Sequence, residues 1–151
     1  MKYWPLFCLL VIATLAATAL YWNIGMGWMH YFMGFFLCQF AMLKLFRPKG
    51  FADGFQMYDL IGSRVRLYAY IYPLIELGLG LGYLSFFAPF WIYWITVIVL
   101  GIGAIGVILA LIKGLNIRCV CMGTVLDVPL STVTLIEDLV MVAMAGILLF
   151  N

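Results

Sequence analysis

The apolar residues of this 151-residue chain fall in long unbroken runs rather than at every third or fourth position. A helix that crosses a bilayer needs about 20 predominantly apolar residues in succession. Five stretches meet or approach that length: 3–22, 27–46, 67–87, 90–112 and 134–150, the last lengthened by the PLSTV segment before it. Backbone groups that face lipid must be hydrogen-bonded within their own segment, so these stretches are expected to be helices and not strands. The longest polar interval is RPKGFADGFQMYDLIGSRVR (47–66). In it Phe51, Phe55, Tyr58 and Val65 share one helical face, with Asp53, Gln56, Asp59 and Ser63 elsewhere. That pattern predicts an amphipathic segment lying on the membrane surface. The expectation is an all-α membrane protein, a single transmembrane domain over 1–151 built as a bundle of five transmembrane helices.

Composition agrees. Hydrophobic residues make up 68% of the chain and charged residues 9%, against about 25% charged in a soluble domain. Mean hydropathy is +1.18. One small core cannot hide that much apolar surface, so the bilayer has to act as solvent. The first run also fits a signal peptide, with Lys2 before it and Ala17-Thr18-Ala19 near its end, but its apolar stretch is long for one. A net charge of +2 excludes nucleic acid as an expected partner.

Where the charges fall matters more than their sum. Lys2, then Lys44, Arg47, Lys49, Arg64 and Arg66, then Lys113 and Arg118 collect at one set of helix ends, while the opposite connections near 23–26 and 85–89 carry none. The positive-inside rule makes the basic side cytoplasmic, the N-terminus inside and Asn151 outside; the expected location is a bacterial-type inner (plasma) membrane. Tyr21, Trp22, Trp28, Trp91, Tyr93 and Trp94 are then expected at the outer interface. GLGLG (78–82) and GIGAIG (101–106) are expected to let helices approach closely.

Chemistry enters with RCVCMGT (118–124). Cys119 and Cys121 stand between the fourth and fifth spans, beside Arg118, and nearby positive charge favours the reactive thiolate. Such a pair closes a small strained disulfide, of the easily reduced kind, or clasps a soft ion such as Cu(I) or Hg(II). Cys8 and Cys38 fall in the same half of the membrane and form a possible second thiol pair, or are simply small buried hydrophobes. Met26, Met29, His30 and Met33 recur at i, i+3, i+4 and i+7, a face suited to Cu(I) or Ag(I); with Met122 beside the thiols, soft ligands would run from one side of the membrane to the other. Methionines filling gaps between helices make the same pattern. Glu76 lies near the middle of the third span, where a carboxylate costs about 2.5–3.5 kcal/mol and is by default a functional candidate; it is expected to accept a thiol proton, hydrogen-bond a quinone, or tie helices together. Thr134-Leu-Ile-Glu137 reads as a capping box, giving Glu137 and Asp138 structural roles at a helix N-terminus.

Three stretches carry a family resemblance. KGLNIRCVCMG (113–123) is similar to the Cys-x-Cys signature of the MauE branch of the DoxX-like membrane proteins, with Val120 where that branch commonly has Gly and Met122 where an aromatic is common. FAMLKLFRPKGF (40–51) resembles the family's end of first span, and PLIELGLGLGYL (73–84) its Pro…Glu-Leu-x-Leu-Gly span. The resemblance covers 27–150 and implies a four-helix core, with 3–22 as an extra helix. It also implies a role in thiol redox or cysteine-pair maturation, with a thioredoxin-like, glutaredoxin-like or heavy-metal-associated domain as partner. The leading expectation is therefore a membrane thiol–disulfide exchanger using Cys119 and Cys121. Arg118 would favour the thiolate, Cys8 and Cys38 would form a second pair, and Glu76 would be a proton partner. A soft-metal transporter and a purely structural subunit are the competing classes.

Overall fold

The computed structural model describes residues 4–114 and 132–151. Among them are six helices and no strand: α1 (Trp4–Ile24), α2 (Trp28–Phe46), α3 (Pro48–Phe55), α4 (Arg66–Ser85), α5 (Pro89–Ile112) and α6 (Thr132–Phe150). Four of these, α1, α2, α4 and α5, are long and apolar enough to cross a membrane. All five predicted long helices are present within a few residues of their expected bounds. The sixth, α3, comes from the 47–66 interval. Prolines open α3 and α5 at the first helical position, where the N–H that proline lacks has no intrahelical partner.

Short connections force antiparallel neighbours. Three residues, Gly25 to Gly27, separate α1 from α2, and Phe86 to Ala88 separate α4 from α5. The second turn is tight enough to drive Phe86 (φ 54°) and Ala88 (φ 41°) into the left-handed region, an uncommon and strained state for residues with a Cβ. Helix α2 packs chiefly on α4 and α1, and α5 on α6. The outward faces are apolar, with Leu15, Trp22, Leu74, Trp91 and Ile98 all more than half exposed. A surface of that kind belongs in lipid.

Helices α2 and α4 touch backbone to backbone. A Cβ on Gly80 would sit 2.7 Å from the Cys38 sulfur and 3.0 Å from the Gly34 carbonyl oxygen, and one on Gly34 would meet Leu84 at 2.6 Å. The expected role of GLGLG in packing holds at Gly80 and at Gly82, which faces Ile92, but not at Gly78, which has nothing within 4 Å. In GIGAIG only Gly106 makes a tight contact, and its neighbour is not a helix. It leaves room for the Tyr58 carbonyl of the turn after α3, 2.7 Å from where its Cβ would be.

The 47–66 interval corrects the expected surface helix. Only Pro48–Phe55 is helical; Phe51, Phe55 and Tyr58 are buried, whereas Val65 is half exposed and off that face. The aromatics pack inward on Tyr72 of α4 and, with Val107 and Ala110 of α5, form a second core beneath the main one. Asp59 closes the following turn by accepting N–H bonds from Ile61 (3.0 Å) and Gly62 (2.7 Å), an Asx turn. Arg66 donates to Asp53 across the surface at 2.8 Å, an exposed pair of little energetic weight.

Two outcomes follow. Gly80→Ala should lower stability in detergent by about 1–3 kcal/mol, as overpacking does, while Gly78→Ala should leave thermal unfolding followed by circular dichroism unchanged. Burial pushes the Asp59 carboxyl above its ordinary value of 3.8, the two N–H bonds opposing the shift. A carboxyl raised on folding weakens the fold as pH climbs through its folded pKa. Wild type should therefore gain stability relative to Asp59→Asn as pH falls from that raised value towards 3.8.

Candidate functional site

Lys44 stands three residues from the end of α2, where a lysine ordinarily extends its chain to the water interface. Here it turns inward. Its ammonium donates to Glu76 Oε2 on α4 at 2.5 Å, and the two side chains are only 4% and 3% exposed. The Gly34–Gly80 approach, about one turn from Glu76 on α4 and about three turns from Lys44 on α2, brings the two helices close together. The ammonium also lies near the rings of Tyr72 (4.9 Å), Phe51 (5.5 Å) and Phe40 (6.0 Å), whose faces attract cations. Phe51 and Phe55 of α3 close the pair off from below.

A cavity of ≈ 20 Å³ adjoins the pair, with Leu100, Gly103 and Val107 of α5 and Glu137, Asp138 and Met141 of α6 completing its wall. That volume is enough for one water molecule. One ammonium and three carboxyl groups thus line a space closed mainly by aromatic and aliphatic side chains. Moving such groups out of water costs several kcal/mol each unless they find partners. This concentration is the densest chemistry among the described residues.

The capping-box expectation is corrected. Helix α6 already runs from Thr132, so Thr134 lies within it and Glu137 sits in its second turn, on the cavity wall with Asp138. Lys44, read in the sequence only as a topological charge, is the other residue missed. Its signal was available: Lys44, like Glu76, is flanked on both sides by apolar residues within a helix. Glu76 was expected as a buried functional group, and it is buried.

The Met/His face is not continuous. Met26 precedes α2 and is half exposed, whereas Met33 is fully buried among core side chains. His30 is buried at the far end of the bundle with Nε2 on the Tyr93 hydroxyl. Its ring stacks on Phe86 at 4.5 Å and meets Tyr83 and Tyr93 edge-on. The strained turn at Phe86 supplies that stacking partner. Among the described residues no group of three or more His, Cys, Asp or Glu is arranged to hold a metal ion. Cys8 and Cys38 are both free thiols, partly buried, and Cys38 packs on Gly80. Arg118, Cys119, Cys121 and Met122 lie outside the described residues.

Removing one member of the buried pair should cost far more than removing both. Lys44→Met leaves Glu76 among carboxyl groups and is expected to destabilise by about 3–5 kcal/mol, whereas Lys44→Met with Glu76→Leu should be near neutral or stabilising. Unfolding of the two variants in detergent measures the difference; equal losses would mean that the pair is not coupled.

No curated protein and no solved structure matches the chain at a significant level. The sequence pattern of the family described as "Methylamine utilisation protein MauE" matches residues 6–151. It takes in α1 as well as the 27–150 region on which the resemblance was read. This multi-pass membrane chain belongs to the MauE family.

Proposed function

We propose that the protein is a membrane thiol–disulfide exchanger in which Cys119 and Cys121 are the reacting pair and the Lys44–Glu76 cavity handles protons. The observation that carries the reading is the cavity: ionisable groups from α2, α4 and α6 share a water-sized space at the basic end of the bundle. The same end is where α5 stops at Ile112 and α6 starts at Thr132, and Cys119 and Cys121 fall between those two helices in the sequence. On this reading five helices span the membrane, the basic end is cytoplasmic and Asn151 is outside. A disulfide formed in that compartment is transient and catalytic rather than structural.

The exchange is symmetrical in its atoms. A thiolate of the pair attacks one sulfur of a partner's disulfide, forming a mixed disulfide while the other partner sulfur leaves as a thiolate. The second cysteine attacks that mixed disulfide, closing Cys119–Cys121 and releasing the partner as a dithiol. Two electrons and two protons have moved to the partner; the reverse sequence oxidises it. Arg118 favours the attacking thiolate. A thioredoxin-like or glutaredoxin-like domain has the chemistry such a partner needs. Glu76, Glu137 and Asp138 are carboxyl groups able to pass protons to and from the cavity water, with Lys44 holding the charge balance.

The test is a redox titration of the purified protein with thiol tagging read by mass. Cys119 and Cys121 should convert together between dithiol and disulfide, and the stable Lys44→Met with Glu76→Leu variant should exchange about a hundredfold more slowly or worse, the usual minimum for a lost proton-transfer group. A pair that stays reduced across all accessible potentials would remove the reading. Exchange at the wild-type rate in the double variant would remove the cavity from it.

A further inference from the structure

The turn after α3, seated on α5 at Gly106, leaves an open pocket of ≈ 190 Å³ one turn further along. Leu60 and Ser63 line it on one side and Leu109, Ala110 and Lys113 on the other. Asp59 lines it too and is 2% exposed. Oδ2 of that carboxyl receives the N–H groups of Ile61 and Gly62, whereas Oδ1 is buried with no hydrogen-bond donor among the described residues. A carboxylate oxygen left that way costs free energy, which an occupant able to donate would offset. Lys113 brings the opposite charge to the same pocket, exposed at the end of α5. The two do not meet: the ion pairs among the described residues are Lys44 with Glu76 and Arg66 with Asp53.

Opposite charges held apart in one pocket fit a ligand that is itself a zwitterion. The pocket's depth in the membrane says which kind. Helix α5 has 24 residues, a rise of about 36 Å against about 30 Å of hydrocarbon. Its last turn, with Leu109 and Lys113, therefore reaches the headgroup layer. On the rim Met57 and Leu60 are 64% and 42% exposed, apolar surface of the kind acyl chains cover. A bare metal ion is a poor occupant, because Asp59 is the one carboxylate among the pocket's described residues and a hard cation takes about six oxygen ligands. Phosphatidylcholine has both charges, but its quaternary ammonium has no N–H to give Oδ1. Phosphatidylglycerol gives Lys113 a phosphate and Asp59 a hydroxyl, but no positive charge. A primary ammonium two carbons from a phosphate meets every demand.

We infer that this pocket binds the headgroup of phosphatidylethanolamine, with the ammonium donating to Asp59 Oδ1, the phosphate facing Lys113 and the acyl chains passing Met57 and Leu60. The site is separate from the ion-pair cavity and from the cysteine pair, so it stands or falls independently of the exchanger reading. Its place gives the lipid an effect. The bound head holds the turn that carries Tyr58 against α5, and Tyr58, with Phe51 and Phe55, lines the cavity beside Lys44. The lipid thereby clamps the aromatic floor of that cavity.

Binding is measured on the full-length protein in maltoside micelles by native mass spectrometry. Dioleoyl phosphatidylethanolamine, phosphatidylcholine and phosphatidylglycerol, identical in their chains, compete at equal concentration. The ethanolamine lipid should bind at one per chain and about tenfold or more tightly than either rival, the scale of one hydrogen bond between charged groups. Asp59→Asn keeps an oxygen for the turn but removes the charge, and should bring the ethanolamine lipid down to the level of the choline lipid. Lys113→Met should weaken it by a similar factor. Ser63 is exposed on the pocket wall, so Ser63→Trp fills the pocket without entering the core and should abolish the preference; it carries the test if circular dichroism shows Asp59→Asn unfolded. Equal binding of the three lipids, or a preference that survives any of the folded variants, would overturn the inference. Soluble phosphoethanolamine binding as tightly as the lipid would overturn it too, marking the pocket as a site for a free small molecule.

Discussion

A lysine ammonium and a glutamate carboxylate held 2.5 Å apart with almost no exposure are the constraint around which the basic end of this bundle is built. Neither charge is tolerable there without the other. Their contact requires α2 and α4 to run close together, which Gly34 and Gly80 permit by having no side chain at the crossing. It also requires water to be kept from the end of α2, where it would otherwise solvate Lys44 in the ordinary way. Phe51 and Phe55 of α3 fill that position. Asp59 then turns the chain beneath them, and Gly106 lets the turn rest on α5. Features scattered over 70 residues of sequence thus serve a single buried contact.

The fold was legible where one physical rule had no competitor. Length and apolarity alone located the five long helices, because lipid leaves the backbone no alternative to internal hydrogen bonding. Glu76 was legible for the same kind of reason: a carboxylate at mid-span has no bland explanation at the surface. Lys44 was not, because a lysine near a helix end satisfies both the topology rule and the snorkelling rule without any partner. Glu137 was misread because Thr-x-x-Glu matches a capping box, and only the start of α6 at Thr132 shows that the turn in question lies inside the helix. Val65 shared a projected face with Phe51 and Phe55, but the projection presumed one continuous helix, and the chain leaves helical geometry after Phe55.

The Met/His face is interrupted for a related reason. Helical spacing from Met26 counts only if the helix includes Met26, and Gly25 and Gly27 on either side of it place it in the turn before α2. What remains is a buried histidine with Nε2 on a tyrosine hydroxyl and its ring enclosed by others, an arrangement that holds the far end of α2 against the turn between α4 and α5. The two ends of the bundle are therefore unlike. One is braced by aromatic stacking, the other by charge.

That asymmetry bears on function. If the basic end needed only cohesion, aromatic packing of the kind around His30 would supply it without desolvating an ion pair, since well-packed apolar replacements of buried pairs are commonly as stable or more so. A lysine and three carboxyl groups around room for one water are a costly way to hold helices together and an effective way to keep exchangeable protons there. Thiol exchange in a membrane requires that protons arrive and depart where bulk water is scarce. The cavity beside Lys44 has the groups for that requirement, and a purely structural account of the ion pair gives no reason for Glu137 and Asp138 to share its wall.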